Sequence, residues 1–153
     1  MWRLACELEH LDANSPYFYL MWCRDFAATS VVARDGRGGL CAFTVGFVRP
    51  ESPSTLFVRQ SAVARTWQGG GLASRMLERL VGDRYRYVEC TITPGNMASD
   101  RYMSGFARRR GAALHREPFL GSEDFPDSGH EPEILYRIGP LNILTTGAAT
   151  SSA

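Results

Sequence analysis

The stretch Thr55-Leu56-Phe57-Val58-Arg59-Gln60-Ser61-Ala62-Val63-Ala64, running on into Gln68-Gly69-Gly70-Gly71-Leu72-Ala73, decides how this chain folds. The first ten residues read as a strand, and the glycines break it. Beyond them Leu72, Met76, Leu80 and Val81 fall on one stripe, while Arg75, Glu78 and Arg79 fall elsewhere. That spacing predicts a half-buried helix from Gly71 to about Val81. A strand that turns on glycines into a helix suits a diphosphate. Glycines let the backbone approach closely, successive N–H groups point into one hollow, and the helix start adds partial positive charge. A glycine run elsewhere would mark only a turn.

Working outward, residues 1–13 read as a short leader. Ser15 is an N-cap and Pro16 sits in the first turn of a helix expected to reach about Ala28, with Phe18, Met21, Trp22 and Phe26 at helical spacing. Ser30–Arg34 and Leu40–Val48 flank Asp35-Gly36-Arg37-Gly38-Gly39 as a hairpin, and a two-proline loop, Arg49–Ser54, leads into the motif strand. Tyr87–Thr93 is a strand, Pro94-Gly95-Asn96 ends it, and a helix follows to Arg110, stopped by Gly111. Phe119–Pro132 reads as polar turn, Glu133–Ile138 as the last strand, and the chain beyond Asn142 as a frayed tail. Strands alternate with helices and nothing repeats, so the expected fold is α/β: one domain over residues 1–141, a central sheet flanked by helices, and a flexible tail over 142–153.

Composition narrows the function. With 153 residues the chain can bury a real core. Seventeen basic against sixteen acidic residues leave a net charge of +1, which argues against nucleic acid as a partner. The run Arg108-Arg109-Arg110 reads as a solvated helix end or as a phosphate contact. Cys6, Cys23, Cys41 and Cys90 are scattered without a Cys-x-x-Cys pair, so free thiols in a reducing cytosol are expected. No segment approaches the roughly 20 apolar residues of a membrane span, and charges at Arg3, Glu7 and Glu9 argue against a signal peptide. The expectation is a cytoplasmic protein.

The junction Gln68-x-x-Gly71-x-Ala73 after a strand resembles the acetyl-CoA motif of the GNAT N-acetyltransferases. Three further stretches are more specific: Leu11-Asp12-Ala13-Asn14-Ser15-Pro16-Tyr17, Thr55 to Gln60, and His130-Glu131-Pro132-Glu133 running on to Pro140. With Thr93-Pro94-Gly95-Asn96 they resemble the L-2,4-diaminobutyrate acetyltransferases of ectoine biosynthesis, from about Leu11 to Leu141. The resemblance implies the GNAT fold with its mixed twisted sheet. It also implies acetyl transfer from acetyl-CoA to the 4-amino group of L-2,4-diaminobutyrate by a cytoplasmic homodimer. At Arg59 that family usually has tryptophan. Arg59 either pairs with the substrate carboxylate or points away into a structural ion pair.

Acetyl transfer to an amine requires deprotonation, alignment, stabilisation of the oxyanion and protonation of the departing thiolate. By resemblance, N–H groups of Ala62, Val63 and Ala64 meet the thioester, and Gln68, Gly69, Gly70, Gly71, Leu72, Ala73 and Asn96 complete the cofactor side. Many GNAT proteins place a tyrosine acid seven residues beyond the asparagine, where this chain has Met103. Tyr102 lies about 100° around the helix from that direction, which leaves Tyr17, in the opening motif, as the preferred acid. A diamino acid carries one carboxylate and two ammonium groups, so its pocket needs a donor and two acceptors. Asp12 and Glu133 are the expected acceptors, Ser15 a further hydrogen-bonding group or simply the N-cap, and His130 a carboxylate ligand or proton acceptor. Tyr17, His130 and Glu133 are thus the catalytic candidates. His10 and His115 have no partner pattern, no residues show metal-ligand spacing, and no covalent triad is evident, so direct attack without a metal is expected. Two other readings share the fold: an acetyltransferase for another small amine or a polyamine, and an acyl-CoA-binding module without catalysis.

Overall fold

The computed structural model describes residues 1–8, 11, 13–126 and 129–142. Its elements run α1 (Trp2–Cys6), α2 (Pro16–Arg24), β1 (Ser30–Arg34), β2 (Leu40–Arg49), β3 (Ser52–Val63), α3 (Leu72–Val81), β4 (Tyr87–Ile92), α4 (Met97–Arg110), β5 (Leu114–Leu120) and β6 (Glu133–Ile138). The strands form one mixed sheet in the order β1-β2-β3-β4-β6-β5. Only β3 and β4 are parallel, and α3 connects them. The sheet carries a core on each face, as a layered α/β domain requires. On one side Leu56, Val58, Leu77, Leu80, Val88, Met103 and Phe106 pack among β3, β4, α3 and α4. On the other, Leu4, Ala5, Leu8 and Tyr19 from the N-terminal helices cover Phe43, Val45 and Ala62.

Local chemistry sets the boundaries. Ser15 Oγ accepts from Phe18 N at 3.3 Å, and Pro16 opens α2. That helix stops at Arg24, short of the expected Ala28, because Thr29 ties the next turn to the sheet: its hydroxyl donates to Gly46 O at 2.7 Å. In the β1–β2 hairpin Asp35 Oδ1 accepts from Arg37 N and Gly39 N at 2.9 and 2.7 Å, an Asx turn. Strand β3 begins at Ser52, inside the expected proline loop. Asn96 Oδ1 caps α4 through Ser99 N at 3.0 Å, and Gly111 ends it in the left-handed region.

Two features of β3 position everything that follows. First, Val45 pairs with Gln60 and Gly46 with Val58, so Arg59 is an extra residue, a β-bulge. Gly46 is required opposite it, since a Cβ there would lie 2.6 Å from Phe57 O. Second, β3 and β4 pair only from Thr55 to Phe57, against Tyr87 to Glu89. At that closed end the buried Glu89 accepts from Arg49 Nε of β2 at 2.8 Å and from Arg137 of β6. Beyond it the two strands diverge and the sheet opens.

Strand β5 was not expected from the sequence; it absorbs Phe119 and Leu120 from the predicted turn. Arg116 of β5 donates to Asp100 Oδ1 and to Ser104 Oγ on α4, each at 2.9 Å, and Tyr136 of β6 donates to the same Asp100 oxygen at 2.9 Å. These bonds, that from Arg116 foremost, hold the Asp100 carboxyl below its usual range. A lowered carboxylate contributes stability above its unfolded value of about 4 and loses it as pH falls through that range. Asp100→Asn is therefore expected to lower the melting temperature at pH 7 by about 2–4 °C, for about 1 kcal/mol. The gap from the wild type should narrow on acidification below pH 4. A gap independent of pH in thermal melts would contradict this role. No helix among the described residues is long and apolar enough to cross a membrane. The tail from residue 143 lies outside the described residues.

Candidate active site

Where β3 and β4 part, a cavity of about 200 Å³ runs into the sheet. Val58, Arg59, Gln60 and Ser61 line it from β3, Cys90, Thr91 and Ile92 from β4, and Tyr102 and Met103 from α4, with Glu133 at the start of β6. A second cleft, about 580 Å³, lies between the glycine turn and α4. The two share Leu11, Ser61, Asn96, Ser99 and Tyr102, so together they form one passage through the sheet.

The backbone of β3 supplies donors to this passage. Ala64 N donates to Cys41 O of β2 at 2.8 Å. Because N–H groups alternate along a strand, Ala62 also faces β2, while Ser61 and Val63 turn theirs into the gap. Of the expected trio Ala62–Ala64, only Val63 turns its N–H into the gap, and Ser61 joins it. Ala62 is instead buried in the core beneath the N-terminal helices.

At the turn Gly69 and Gly71 have φ of 80° and 71°, a region that disfavours side chains. Nothing lies within 4 Å of a Cβ built on Gly69 or Gly70, so the hollow is open. Gly71 caps α3 without a side chain, which leaves the first N–H groups of that helix unspent. This donor set fits a diphosphate. Gln68 Nε2 donates to Val63 O at 2.9 Å, so the side chain braces the loop against the strand end. Gln68, Leu72, Ala73 and Asn96 all line the cleft, joined by Trp67, which the sequence reading missed.

Tyr102 stands between the two halves. Its hydroxyl lies 3.3 Å from Ala73 O, donating toward it, and the hydroxyls of Ser61 and Thr44 act on it electrostatically. Ser61 Oγ and Thr44 Oγ are themselves 2.9 Å apart. Burial pushes the Tyr102 hydroxyl up to about 12, the two hydroxyl contacts opposing it, so the group is protonated at neutral pH. Met103 is 1% exposed: α4 seats Met103, Phe106 and Ala107 in the core, a stripe at i, i+3 and i+4 that leaves Tyr102 on the flank toward α3. Tyr17, the expected acid, is 69% exposed and lines neither cavity, whereas Tyr102 lines both.

On the acceptor side, Glu133 Oε2 is buried with no hydrogen-bond partner among the described residues. Burial, and then the charge of Glu133, push the neighbouring Cys90 thiol up. Arg59 lines the cavity, its guanidinium 5.9 Å from the centre of the Phe18 ring, and makes no ion pair among the described residues. Ser15 serves as the N-cap and lines neither cavity. His130 is exposed and stacked on Phe125, 4.4 Å between ring centres, and it too lies outside both cavity walls. Asp12 and His10 fall outside the described residues, as do Asp127 and Ser128. Among the described residues no group of three or more His, Cys, Asp or Glu is placed to hold a metal.

Comparison with known proteins bears on this site. The model of the acetyltransferase (GNAT) family matches residues 1–106. The L-2,4-diaminobutyric acid acetyltransferase of Streptomyces coelicolor is 52% identical over 147 residues, 93% of this chain and 86% of that protein. The protein of the same name from Virgibacillus pantothenticus is 37% identical over 92% of this chain and 91% of its own. Diaminobutyrate acetyltransferase from Paenibacillus lautus, solved with its substrate L-2,4-diaminobutyric acid and coenzyme A, superposes with a TM-score of 0.85. It is 37% identical and covers 91% of this chain and 86% of its own. A passage through the sheet, a glycine cradle at one mouth and a buried carboxylate oxygen inside the other thus occur in a chain that belongs to the GNAT superfamily and, within it, to the L-2,4-diaminobutyrate acetyltransferases.

Proposed function

We propose that this protein acetylates the 4-amino group of L-2,4-diaminobutyrate, forming N4-acetyl-L-2,4-diaminobutyrate for ectoine synthesis. The observation that carries the reading is the buried, unpartnered Glu133 Oε2 in the wall of the inner cavity. A buried carboxylate oxygen without a donor is costly, and an ammonium group is the ligand that relieves it. Arg59, at the bulge, supplies the matching cation for the substrate carboxylate. Asp12 from the opening motif is the second acceptor, and His130 and Ser15 remain outer candidates on the substrate side.

Acetyl-CoA supplies the acyl group, which the substrate amine takes by direct attack. The chain does the rest. N–H groups at the start of α3 and at Gly69–Gly71 hold the diphosphate. Val63 and Ser61 N–H groups face the thioester oxygen, where negative charge grows as the amine attacks. The Tyr102 hydroxyl, protonated at neutral pH, delivers a proton to the departing sulfur. Its contacts with Ser61 and Thr44 keep it aimed at the passage. The reading extends to a cytoplasmic homodimer, and the free state of all four cysteines is compatible with a reducing compartment.

Initial rates on diaminobutyrate, ornithine, lysine and spermidine, with mass spectrometry locating the acetyl group, test the assignment. Diaminobutyrate is expected to be preferred by at least about tenfold, since a misplaced carboxylate or ammonium leaves Arg59 or Glu133 unpaired. A flat profile, or a preference for the polyamine, would overturn it.

A further inference from the structure

Past the glycine turn the cofactor cleft continues into an open groove lined by Gly71, Ser74, Arg75, Glu78, Arg109 and Arg110. Gly71 and Ser74 also line the cleft itself, so whatever lies on the cradle can extend into the groove without a break. Three guanidinium groups face one carboxylate there. Glu78 is already engaged: it accepts Arg110 Nε at 2.7 Å and Arg109 Nε at 3.3 Å. Arg110 is further tied to Gly82 O at 3.0 Å and lies over the Phe106 ring, which makes it part of the scaffold.

Arg75 is different. It is exposed, its NH1 donates to Gly70 O at 2.6 Å, and it has no carboxylate partner among the described residues. Arg109 commits only its Nε, and its side chain is 42% exposed. Two positive charges therefore stand beside a cradle whose backbone donors suffice for a diphosphate. Coenzyme A carries one more phosphate than a diphosphate, a dianionic monoester on the ribose 3′ oxygen. We infer that Arg75 and Arg109 hold that 3′-phosphate and make the protein select coenzyme A thioesters over their 3′-dephospho forms. The inference rests on the proposed use of acetyl-CoA and adds two specificity residues to it.

Calorimetric titration of coenzyme A and 3′-dephospho-coenzyme A, into the wild type, Arg75→Gln and Arg109→Gln, tests it without turnover. The wild type is expected to bind coenzyme A at least about tenfold more tightly, the scale of one or two charge-assisted contacts. Each substitution should weaken coenzyme A alone and bring the two ligands to within about threefold. Equal binding of both ligands by the wild type would overturn the inference while leaving the cofactor reading intact. Equal weakening of both by Arg75→Gln would overturn its role too, showing that it merely braces Gly70. Binding of neither ligand would remove the cofactor reading and this inference with it.

Discussion

Tyr102→Phe is expected to lower kcat by about 100-fold, the lower end of what a positioned general acid contributes, with KM for acetyl-CoA changed less than about threefold. The phenyl ring keeps its place between α3 and α4, and only the hydroxyl that faces Ala73 O, Ser61 and Thr44 is lost. Losing the hydrogen bond to Ala73 O costs about 1 kcal/mol of stability, which thermal melts would register separately from the chemistry. Tyr17→Phe is the control. With its side chain 69% exposed and outside both cavity walls, it should retain near-wild-type kcat. Thiol release measured for both variants decides between them. Loss of turnover in Tyr17→Phe with Tyr102→Phe unaffected would reverse the assignment.

Glu133→Gln should raise KM for diaminobutyrate by about 10–100-fold, the range for one charged hydrogen bond, while coenzyme A affinity stays within about twofold. Glutamine has the same shape, so the cavity is kept, but one oxygen becomes an NH2 that cannot accept from an ammonium group. The effect is confined to the amine because Glu133 lines the inner cavity and not the cofactor cleft. A variant that bound coenzyme A poorly, with KM for the amine unchanged, would place Glu133 on the wrong side of the passage.

The central part of the fold was legible because the pattern changes where the structure does. Apolar residues of β3 give way to glycines and then to the helical stripe of α3, which buries Met76, Leu77, Leu80 and Val81. Strand β5 was not legible for the opposite reason. It lies at the sheet edge with His115, Arg116, Glu117, Pro118 and Phe119 all exposed, and its conformation comes from pairing with β6. The short α1 was likewise read as leader, since five residues carry too little periodicity, although Leu4 and Ala5 bury against the sheet.

The site divides in the same way. The glycine cradle carries its chemistry in its residue types and spacing, whereas Glu133 stands out only through the resemblance of the stretch from His130 to Pro140. Tyr102 was displaced in favour of Tyr17 because the acid was sought at one fixed offset from Asn96. The buried stripe of Met103, Phe106 and Ala107 would have shown that position 103 faces the core and that the flank at 102 does not. Which N–H groups face the gap depends on pairing with β2, which no local pattern in β3 reveals.

The supernumerary Arg59 gives β3 an odd–even parity that changes partway along. Below it Val58 faces the α3 side; above it Gln60 and Ala62 face the N-terminal helices, and Ser61 faces Tyr102. Deleting Arg59 would close the bulge and bring Gly46–Val58 and Val45–Gln60 into unbroken succession, so Gln60, Ser61 and Ala62 would keep their faces and only the local bend and its guanidinium would go. A further residue inserted into the strand after Gln60 would turn every later side chain to the opposite face, whereas insertions should be tolerated at the solvent-facing tip from Asp35 to Gly39.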